Sequence, residues 1–344
     1  MKRMMGLLLT LVLISVLAVG CSNSSKRQPG STQAENDVEA AAEVKQEEKI
    51  HIKVAAPSGA PTLSMIKMFK ENPSLGKNVE VSYESVKSPD LMASRLMSSE
   101  VDIAVVPTNL AANIYNKGIP YQLAASNVWG VLYLVSSEDI NDWHDLKGKE
   151  IHTIGRGLTP DIVLRYLLSN NGIDPEKDVT LNYLGEATEL ASAFIAGKSK
   201  ISVIPEPVLS NVLMKKEGTK IVLNLQEEWA KTTNMDSSYP QASLIIKKDI
   251  IEKYPELVEA FVKEFEDSIN WANDYPTEAG IYSEELQTGL NPQVVEKGME
   301  RSNIKFVNVT EAKSAIETYL KILHDYSPDI VGGKLPDDDF YFKK

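Results

Sequence analysis

Cysteine is almost absent from this chain, which has one, Cys21, in 344 residues. A single cysteine leaves no disulfide within the chain, and one unpaired thiol gives an exported protein little. The four histidines (His51, His144, His152 and His324) are scattered and lack the clustered spacing of metal ligands. The nucleophile-elbow, zinc-protease and phosphate-loop patterns are also missing. These absences argue against an enzyme and against a resident metal.

The chain has fewer positively charged than negatively charged residues. Lysine and arginine number 36 against 48 aspartates and glutamates, which gives a formal net charge of -12. Such an excess of negative charge argues against a nucleic acid or an anionic membrane surface as partner. It places no restriction on a small ligand, which responds to local groups.

Long apolar runs are also missing, apart from one near the start, Leu7 to Val19. Lys2 and Arg3 precede this run, and the small residues Ala18 and Gly20 close it. A basic, then apolar, then small order is typical of a secretory signal, and the run is short for a membrane-spanning helix, which needs about 20 residues. The sequence therefore predicts a signal peptide over residues 1–20.

The cysteine follows this signal directly and resembles a bacterial lipobox. The resemblance implies that Cys21 carries a lipid on its sulfur and becomes the first residue of the mature chain; Ala18 departs from the usual leucine. The alternative is a free or buried thiol. Residues 21–48 are rich in Ser, Gln, Glu and Ala with almost no large apolar side chain. They predict a flexible, lipid-tethered linker, with the folded part starting near Lys49.

From Lys49 onward the sequence alternates between strand and helix patterns. Residues 50–57 read as a strand, residues 101–107 form an apolar run suited to a parallel strand covered on both faces, and helix patterns follow each. In "LTPDIVLRYLLSNNG", Thr159 and Pro160 predict a helix start, and Gly172 predicts its end. The alternation predicts an α/β fold with mostly parallel sheets flanked by helices.

The order of several stretches resembles a known family. They are "PSGAPTLSMIKMF", "EVDIAVVPTNLAANIYNKG", "DLKGKEIHTIGRGLTPDIVLRYLL", "VIPEPVLSNVL", "KYPELVEAFVKEFEDSINWAND" and "GGKLPDDDFYF". Together they resemble the solute-binding proteins of ABC importers that serve nitrate, sulfonate, taurine and thiamine-precursor uptake. The resemblance implies a two-lobed periplasmic-binding-protein type II fold in which the chain crosses twice between lobes.

On this chain the resemblance puts lobe one at residues 49–137 plus 240–344 and lobe two at residues 138–239. The two crossings would lie near Ser136–Glu138 and Tyr239–Gln241.

The candidate ligand-binding residues lie in loops that follow strands. In open α/β sheets, ligands bind beyond the carboxyl ends of strands, where the N-termini of helices present free N–H groups. The loops, with which the resemblance agrees, give twelve candidates: Ser58, Gly59, Ala60, Thr108, Asn109, Asn127, Trp129, Arg156, Gly157, Thr159, Glu206 and Gln241.

Each candidate has a plain structural alternative. Thr108 and Thr159 fit ordinary helix caps, and Trp129 fits a core residue. Arg156, between two glycines, could bind an anion through its fork of donors or simply be solvated. Glu206 matches a glutamate–proline site that faces the cleft in the family, but it could be a surface carboxylate. Together these two side chains leave the ligand open between an anion, an amine and a zwitterion, and they could also pair with each other.

The implied function is that of an extracytoplasmic, lipid-anchored substrate-binding protein of an ABC importer. It would close on a small polar organic or anionic ligand of the sulfonate, nitrate-like, amino acid-like or thiamine-precursor class. Its partners would be a membrane permease and a cytoplasmic ATPase, with no cofactor, no nucleic acid and a monomeric state. The alternatives are a lipoprotein that reports ligand occupancy to a sensor and, since enzymes share this fold, an enzyme.

Overall fold

The computed structural model describes residues 49–87, 89–235 and 238–343. The predicted signal peptide, Cys21 and the predicted linker lie outside these residues. Strands in chain order are β1 (Ile50–Pro57), β2 (Val79–Val86), β3 (Ile103–Pro107), β4 (Tyr121–Val128), β5 (Leu132–Ser136), β6 (Glu150–Ile154), β7 (Thr180–Leu184), β8 (Ile201–Pro205), β9 (Lys220–Asn224), β10 (Ala242–Lys247) and β11 (Ile304–Asn308).

Helices in chain order are α1 (Ala60–Ser64), α2 (Ile66–Glu71), α3 (Pro89–Met97), α4 (Thr108–Asn116), α5 (Thr159–Asn170), α6 (Ala187–Ile195), α7 (Val208–Lys215), α8 (Leu225–Thr233), α9 (Lys248–Lys253), α10 (Pro255–Asp274), α11 (Pro276–Glu285), α12 (Pro292–Gly298) and α13 (Val309–Tyr326). Short 3-10 turns add His144–Leu146, Glu300–Ser302, Pro328–Val331 and Asp338–Phe340. Across the described ranges, no helix has the length and apolarity needed to cross a bilayer.

The strands form two sheets with helices on their faces, which confirms the predicted two-lobed α/β architecture. The first sheet, in lobe one, has the order β11-β4-β10-β3-β1-β2, and the second, in lobe two, has the order β7-β6-β8-β5-β9. The sheets are mixed rather than mostly parallel, because β4, β10 and β11 pair antiparallel in the first and β5 pairs antiparallel with both neighbours in the second. Hydrophobic patterns reveal strands but not their direction.

The chain changes sheets earlier than the sequence predicted. β4 belongs to the first sheet and β5 to the second, so the first crossing lies between Val128 and Leu132 and not at Ser136–Glu138. Lobe two therefore begins before residue 138. The residues from Val128 to Val135 are apolar apart from Gly130, whose φ is +75°, so the pattern marks no other boundary between the strands. The chain returns to the first sheet at Ala242, directly after Tyr239–Gln241.

The two crossings run side by side. The Gln241 N–H donates to the Val128 carbonyl at 2.8 Å, and the Gln241 side-chain oxygen accepts from the Val131 N–H at 3.1 Å. In lobe two, the Gln226 side-chain oxygen accepts from the Leu132 N–H at 2.9 Å. Backbone groups that a strand ladder would normally satisfy are therefore paired through glutamine side chains at the crossing.

A buried aromatic cluster joins the lobes next to the crossings. Trp229 of α8, Tyr239 of the second crossing and Tyr319 of α13 are fully enclosed, with ring centroids 5.3 to 5.9 Å apart. Tyr166 of α5 packs on Trp229 at 5.1 Å. Such pairs add about 0.5–1.5 kcal/mol each beyond the area they bury. The lobes therefore share one apolar core on this side, and two further clusters fill the opposite faces of the sheets.

Gly130 is required by both its dihedral angle and its surroundings. A Cβ added there would lie 2.6 Å from Gln226 Cγ and 2.8 Å from Tyr239 Cζ. We expect Gly130→Ala to lower the free energy of unfolding by about 1–2 kcal/mol through left-handed strain and a further 1–3 kcal/mol through overpacking. Gly118→Ala is the matched control, since its φ is +82° and a Cβ there would meet nothing within 4 Å. Urea unfolding would measure both, and equal losses would contradict the steric argument.

Candidate ligand-binding site

The loop after β1 presents a glycine to open space. Ser58 is fixed by its N–H, which donates to the Val86 carbonyl at 3.1 Å, and its hydroxyl lies 3.1 Å from that of Ser85. Gly59 has a φ of +103°, and a Cβ there would meet nothing within 4 Å. Ala60 is buried at the start of α1. Ser58 and Gly59 are both partly exposed, whereas Ala60 is buried.

Thr108 does not cap α4, contrary to the sequence prediction. The helix begins after Pro107 without a side-chain cap, and the Thr108 hydroxyl lies 2.8 Å from that of Ser243 on β10. Thr108 is fully buried, whereas the neighbouring Asn109 keeps a small exposed fraction of 7%. A hydroxyl partner on the adjacent strand competes with the capping role.

A contact between Thr159 and Asn109 links the two lobes. The Thr159 hydroxyl donates to Asn109 Oδ1 at 3.4 Å and lies 2.8 Å from the Tyr319 hydroxyl. Thr159 belongs to α5 of lobe two, and both partners belong to lobe one. The prediction that Thr159 caps its helix is therefore wrong, because its hydroxyl bonds across the lobes and α5 has no side-chain cap. These contacts show that the β3–α4 loop faces the start of α5.

Asn127 and Trp129 have different surroundings. Asn127 is completely buried and donates its amide N–H to Ser64 Oγ at 2.9 Å, while its Oδ1 has no hydrogen-bond partner among the described residues. A buried acceptor without a partner is costly, and this one is free to accept a hydrogen bond. Trp129 instead packs in the shared core and donates its indole N–H to the Lys305 carbonyl at 3.0 Å. The core alternative describes it better than an aromatic wall for ligand.

Arg156 is an exposed cation held by an aromatic ring. Its guanidinium carbon lies 4.3 Å from the centroid of Tyr183, at the end of β7. The Tyr183 hydroxyl donates to Asp161 Oδ1 at 2.6 Å and accepts from Arg165 at 2.9 Å. Burial, followed by the bond to Asp161, raises the pKa of Tyr183 to about 12, so its ring stays neutral and attracts the cation.

The loops of lobe two use their own carboxylates to satisfy free N–H groups. Gly157 donates its N–H to Asp161 Oδ2 at 2.7 Å, and Gly185 donates to Glu189 Oε2 at 3.1 Å. Ser210 donates to Glu206 Oε2 at 3.0 Å. In lobe one, by contrast, the first turns of α1 and α4 contain no acidic residue. Anions are favoured at helix N-termini, so the lobe-one loops present the less repulsive surface to an anion.

Glu206 is neither a surface carboxylate nor a partner of Arg156. Its side chain is wholly buried, and Oε1 accepts from Arg301 Nε at 2.6 Å and from Ser210 Oγ at 3.1 Å. Burial raises the pKa of Glu206, while Arg301 and Ser210 oppose the shift. Arg301 precedes β11 of lobe one, so this ion pair also joins the lobes. The carboxylate has its partners within the protein and is not offered to a ligand amine in this arrangement.

One candidate, Gln241, and two residues that were not predicted, Tyr183 and Arg301, remain to be described. Gln241 braces the crossings, as described above. Tyr183 and Arg301 were not candidates: Tyr183 follows a strand pattern like many others, and nothing in the local sequence of Arg301 indicates a partner. Among the described residues, no group of three or more histidine, cysteine, aspartate or glutamate side chains is arranged to hold a metal.

Comparison with known proteins shows the family. The family model described as "NMT1/THI5 like" matches residues 76–279, more than half of the chain. The chain belongs to the NMT1/THI5-like family. This confirms the family predicted from the sequence motifs. YtlA of Bacillus subtilis (strain 168), provisionally named a binding protein, is 25% identical over 269 residues, which cover 76% of this chain and 71% of YtlA.

Solved structures of other proteins share the fold of this chain. The crystal structure of an ABC transporter from Parabacteroides distasonis has a TM-score of 0.73 and 33% identity, and the match covers 86% of this chain and all of that one. The periplasmic aliphatic sulphonate-binding protein SsuA of Escherichia coli has a TM-score of 0.66 at 13% identity, covering 85% of this chain and 92% of its own. The nitrate-binding protein NrtA of Synechocystis PCC 6803 has a TM-score of 0.58 at 13% identity, covering 83% and 84%. These last two show the shared fold.

The contact between Thr159 and Tyr319 generates a prediction on stability. Tyr319→Phe removes the hydroxyl that lies 2.8 Å from Thr159 Oγ1 inside the protein. We expect the free energy of unfolding to fall by about 0.5–1.5 kcal/mol, the usual net worth of such a hydrogen bond. Tyr326→Phe is the control, since Tyr326 lies on the same helix and is 49% exposed. Urea unfolding midpoints that fall equally in both variants would rule out this interlobe bond.

Proposed function

We propose that this protein is the substrate-binding lipoprotein of an ABC importer and that it holds one small ligand between its two lobes. The observation that carries the proposal is the meeting of the β3–α4 loop with the start of α5, seen in the contact between Asn109 and Thr159. In open α/β sheets this is where ligands bind. The printed names of its relatives, which include a binding protein and an ABC transporter, support the same class of function.

An anionic ligand fits the charges around these loops better than an amine. Glu206, the carboxylate that could have bound an amine, is paired with Arg301 and Ser210. Arg156 is exposed, and its guanidinium can bind a sulfonate, nitrate or carboxylate group through two parallel hydrogen bonds. Relatives named for sulphonate and nitrate binding share the fold and point to the same ligand class.

Other groups in the candidate loops suit the proposed ligand. Gly59 leaves open space beside the β1–α1 loop, and Leu158, next to the arginine loop, is 49% exposed and supplies apolar surface. An arginine with an apolar neighbour suits an organic anion. The lobes would open and close around this ligand by rotation at the paired crossings, and the closed form would dock on the permease.

Lipid attachment at Cys21 is part of the proposal. The lipobox-like order of the N-terminal residues supports it, and a diacylated cysteine binds a membrane firmly. The tether would hold the receptor at the outer face of the cytoplasmic membrane, near its permease, and raise its effective concentration there.

The ligand proposal is tested by a thermal-shift screen with alkanesulfonates, nitrate, amino acids and thiamine precursors. A ligand at a hundred times its dissociation constant stabilises the folded state by about 2.7 kcal/mol. We expect an anion to be the hit, and Arg156→Gln to weaken its binding at least about tenfold, because charge-assisted hydrogen bonds contribute about 1.5–3 kcal/mol. Lys198→Gln, an exposed cation in the same lobe, is the control. A neutral or cationic ligand that binds Arg156→Gln as tightly as wild type would refute the anion assignment.

The anchor is tested by Cys21→Ser in the expressing cell. Without the sulfur there is no site for the lipid, so we expect the variant to appear in the soluble extracytoplasmic fraction while wild type stays with the membrane. Immunoblots of the two fractions provide the measurement, and Ser22→Ala is a control that keeps the cysteine. Retention of Cys21→Ser in the membrane fraction would contradict the lipoprotein assignment.

A further inference from the structure

We propose that Glu206 and Arg301, together with Ser210 and Gly298, form an interlobe latch that holds the two lobes together when no ligand is bound. The inference rests on the proposed function only in giving the latch a purpose: a protein already biased toward the closed arrangement binds its ligand more tightly. The latch itself consists only of groups of this chain.

The ion pair is anchored on both sides. In lobe two, the Glu206 carboxylate accepts from the Ser210 N–H at 3.0 Å and from the Ser210 hydroxyl at 3.1 Å, which fixes it at the start of α7. In lobe one, Arg301 Nη2 donates to the Lys297 carbonyl at 2.9 Å, which fixes the guanidinium at the end of α12. Arg301 then spans the lobes through Nε to Glu206 at 2.6 Å and Nη2 to Ser210 Oγ at 2.8 Å.

The backbone around the pair is shaped for close approach. Gly298, the last residue of α12, is buried against lobe two, and a Cβ there would lie 2.9 Å from Glu206 Oε2, 3.0 Å from Ser210 Oγ and 3.2 Å from Pro207 Cα. The helices α12 and α7 pack together at this point. Only a glycine at position 298 lets α12 approach α7 so closely. The contact therefore depends on Gly298 as well as on the two charged residues.

A second set of bonds ties the arginine to lobe two and to the crossing. Tyr133 of β5 donates its hydroxyl to the Arg301 carbonyl at 2.9 Å. Asn303 donates to the Gly130 carbonyl at 2.9 Å and to the Arg301 carbonyl at 3.2 Å. The 3-10 turn that carries Arg301 therefore contacts both the second sheet and the glycine at the first crossing. Rotation about the crossings would have to break these contacts together.

The charges of Glu206 and Arg301 explain why removing one of them should open the lobes. A carboxylate with a wholly buried side chain is stable only while its cation stays in place, and removal of the cation leaves an uncompensated buried charge. Opening the lobes returns both groups to water and relieves that cost. A variant that lacks Arg301 should therefore shift the ligand-free protein from the closed to the open arrangement.

The test measures the distance between lobes without any ligand. The full-length chain with Cys21→Ser contains no other cysteine, so spin labels can be placed at two introduced ones, Lys215→Cys on α7 and Asn270→Cys on α10, both exposed. Pulsed electron paramagnetic resonance gives the distance distribution. We expect a single short component in this background and a longer component in Arg301→Gln and, independently, in Gly298→Ala, which keeps both charges.

Matched controls separate the latch from general damage. Arg95→Gln removes an arginine whose partner, Glu84, lies in the same lobe, and Gly185→Ala adds a methyl group at an exposed glycine of lobe two. Both should leave the distribution unchanged, and circular dichroism would show that every variant is folded. A long component in the unsubstituted background, or an unchanged distribution in both Arg301→Gln and Gly298→Ala, would overturn the latch. Since no ligand or permease is used, failure of the proposed transport function would not alter either result.

Discussion

The constraint on which the rest of this structure depends is that the chain crosses between its two sheets twice at the same place. The Val128 carbonyl and the Val131 N–H, on either side of Gly130, are both bonded to Gln241 of the second crossing. The two segments therefore act as one short connection between the lobes. The lobe rotation proposed above would pivot at this connection and would move the loops at the carboxyl ends of the strands toward or away from each other.

The shared aromatic core limits that motion on one side. Trp229, Tyr239 and Tyr319 come from lobe two, the second crossing and lobe one, and each is fully enclosed. Close-packed rings resist separation, because a gap would cost their dispersion contacts and leave a void. The contact between α12 and α7 is of another kind, because it consists of the Glu206–Arg301 ion pair and its supporting hydrogen bonds. The lobes are therefore joined by close packing at one contact and by charged and polar groups at the other.

How far the sequence could predict this molecule depends on the distance over which each feature is encoded. Helix α5 and its end near Gly172 were predictable, because proline and glycine act locally. The role of Glu206 was not, since its partner Arg301 lies 95 residues away. The prediction of where the chain changes sheets was wrong for the same reason. Strand pairing is decided by distant segments, and the apolar pattern continues past Val128. Strands β9 and β11 and helices α8, α9, α11 and α12 were not predicted from the sequence.

The placement of carboxylates reconciles a net charge of -12 with the anion site proposed above. Asp161, Glu189 and Glu206 each accept a hydrogen bond from a backbone N–H at the start of a lobe-two helix. Asp161 and Glu206 also pair with Arg165 and Arg301, and Asp161 supports Tyr183, the ring beneath Arg156. A negative side chain thereby helps to hold a positive one in place. Because the nearest charged group dominates the potential at short range, the proposed anion at this loop would respond to the Arg156 guanidinium more than to the net charge of the whole protein.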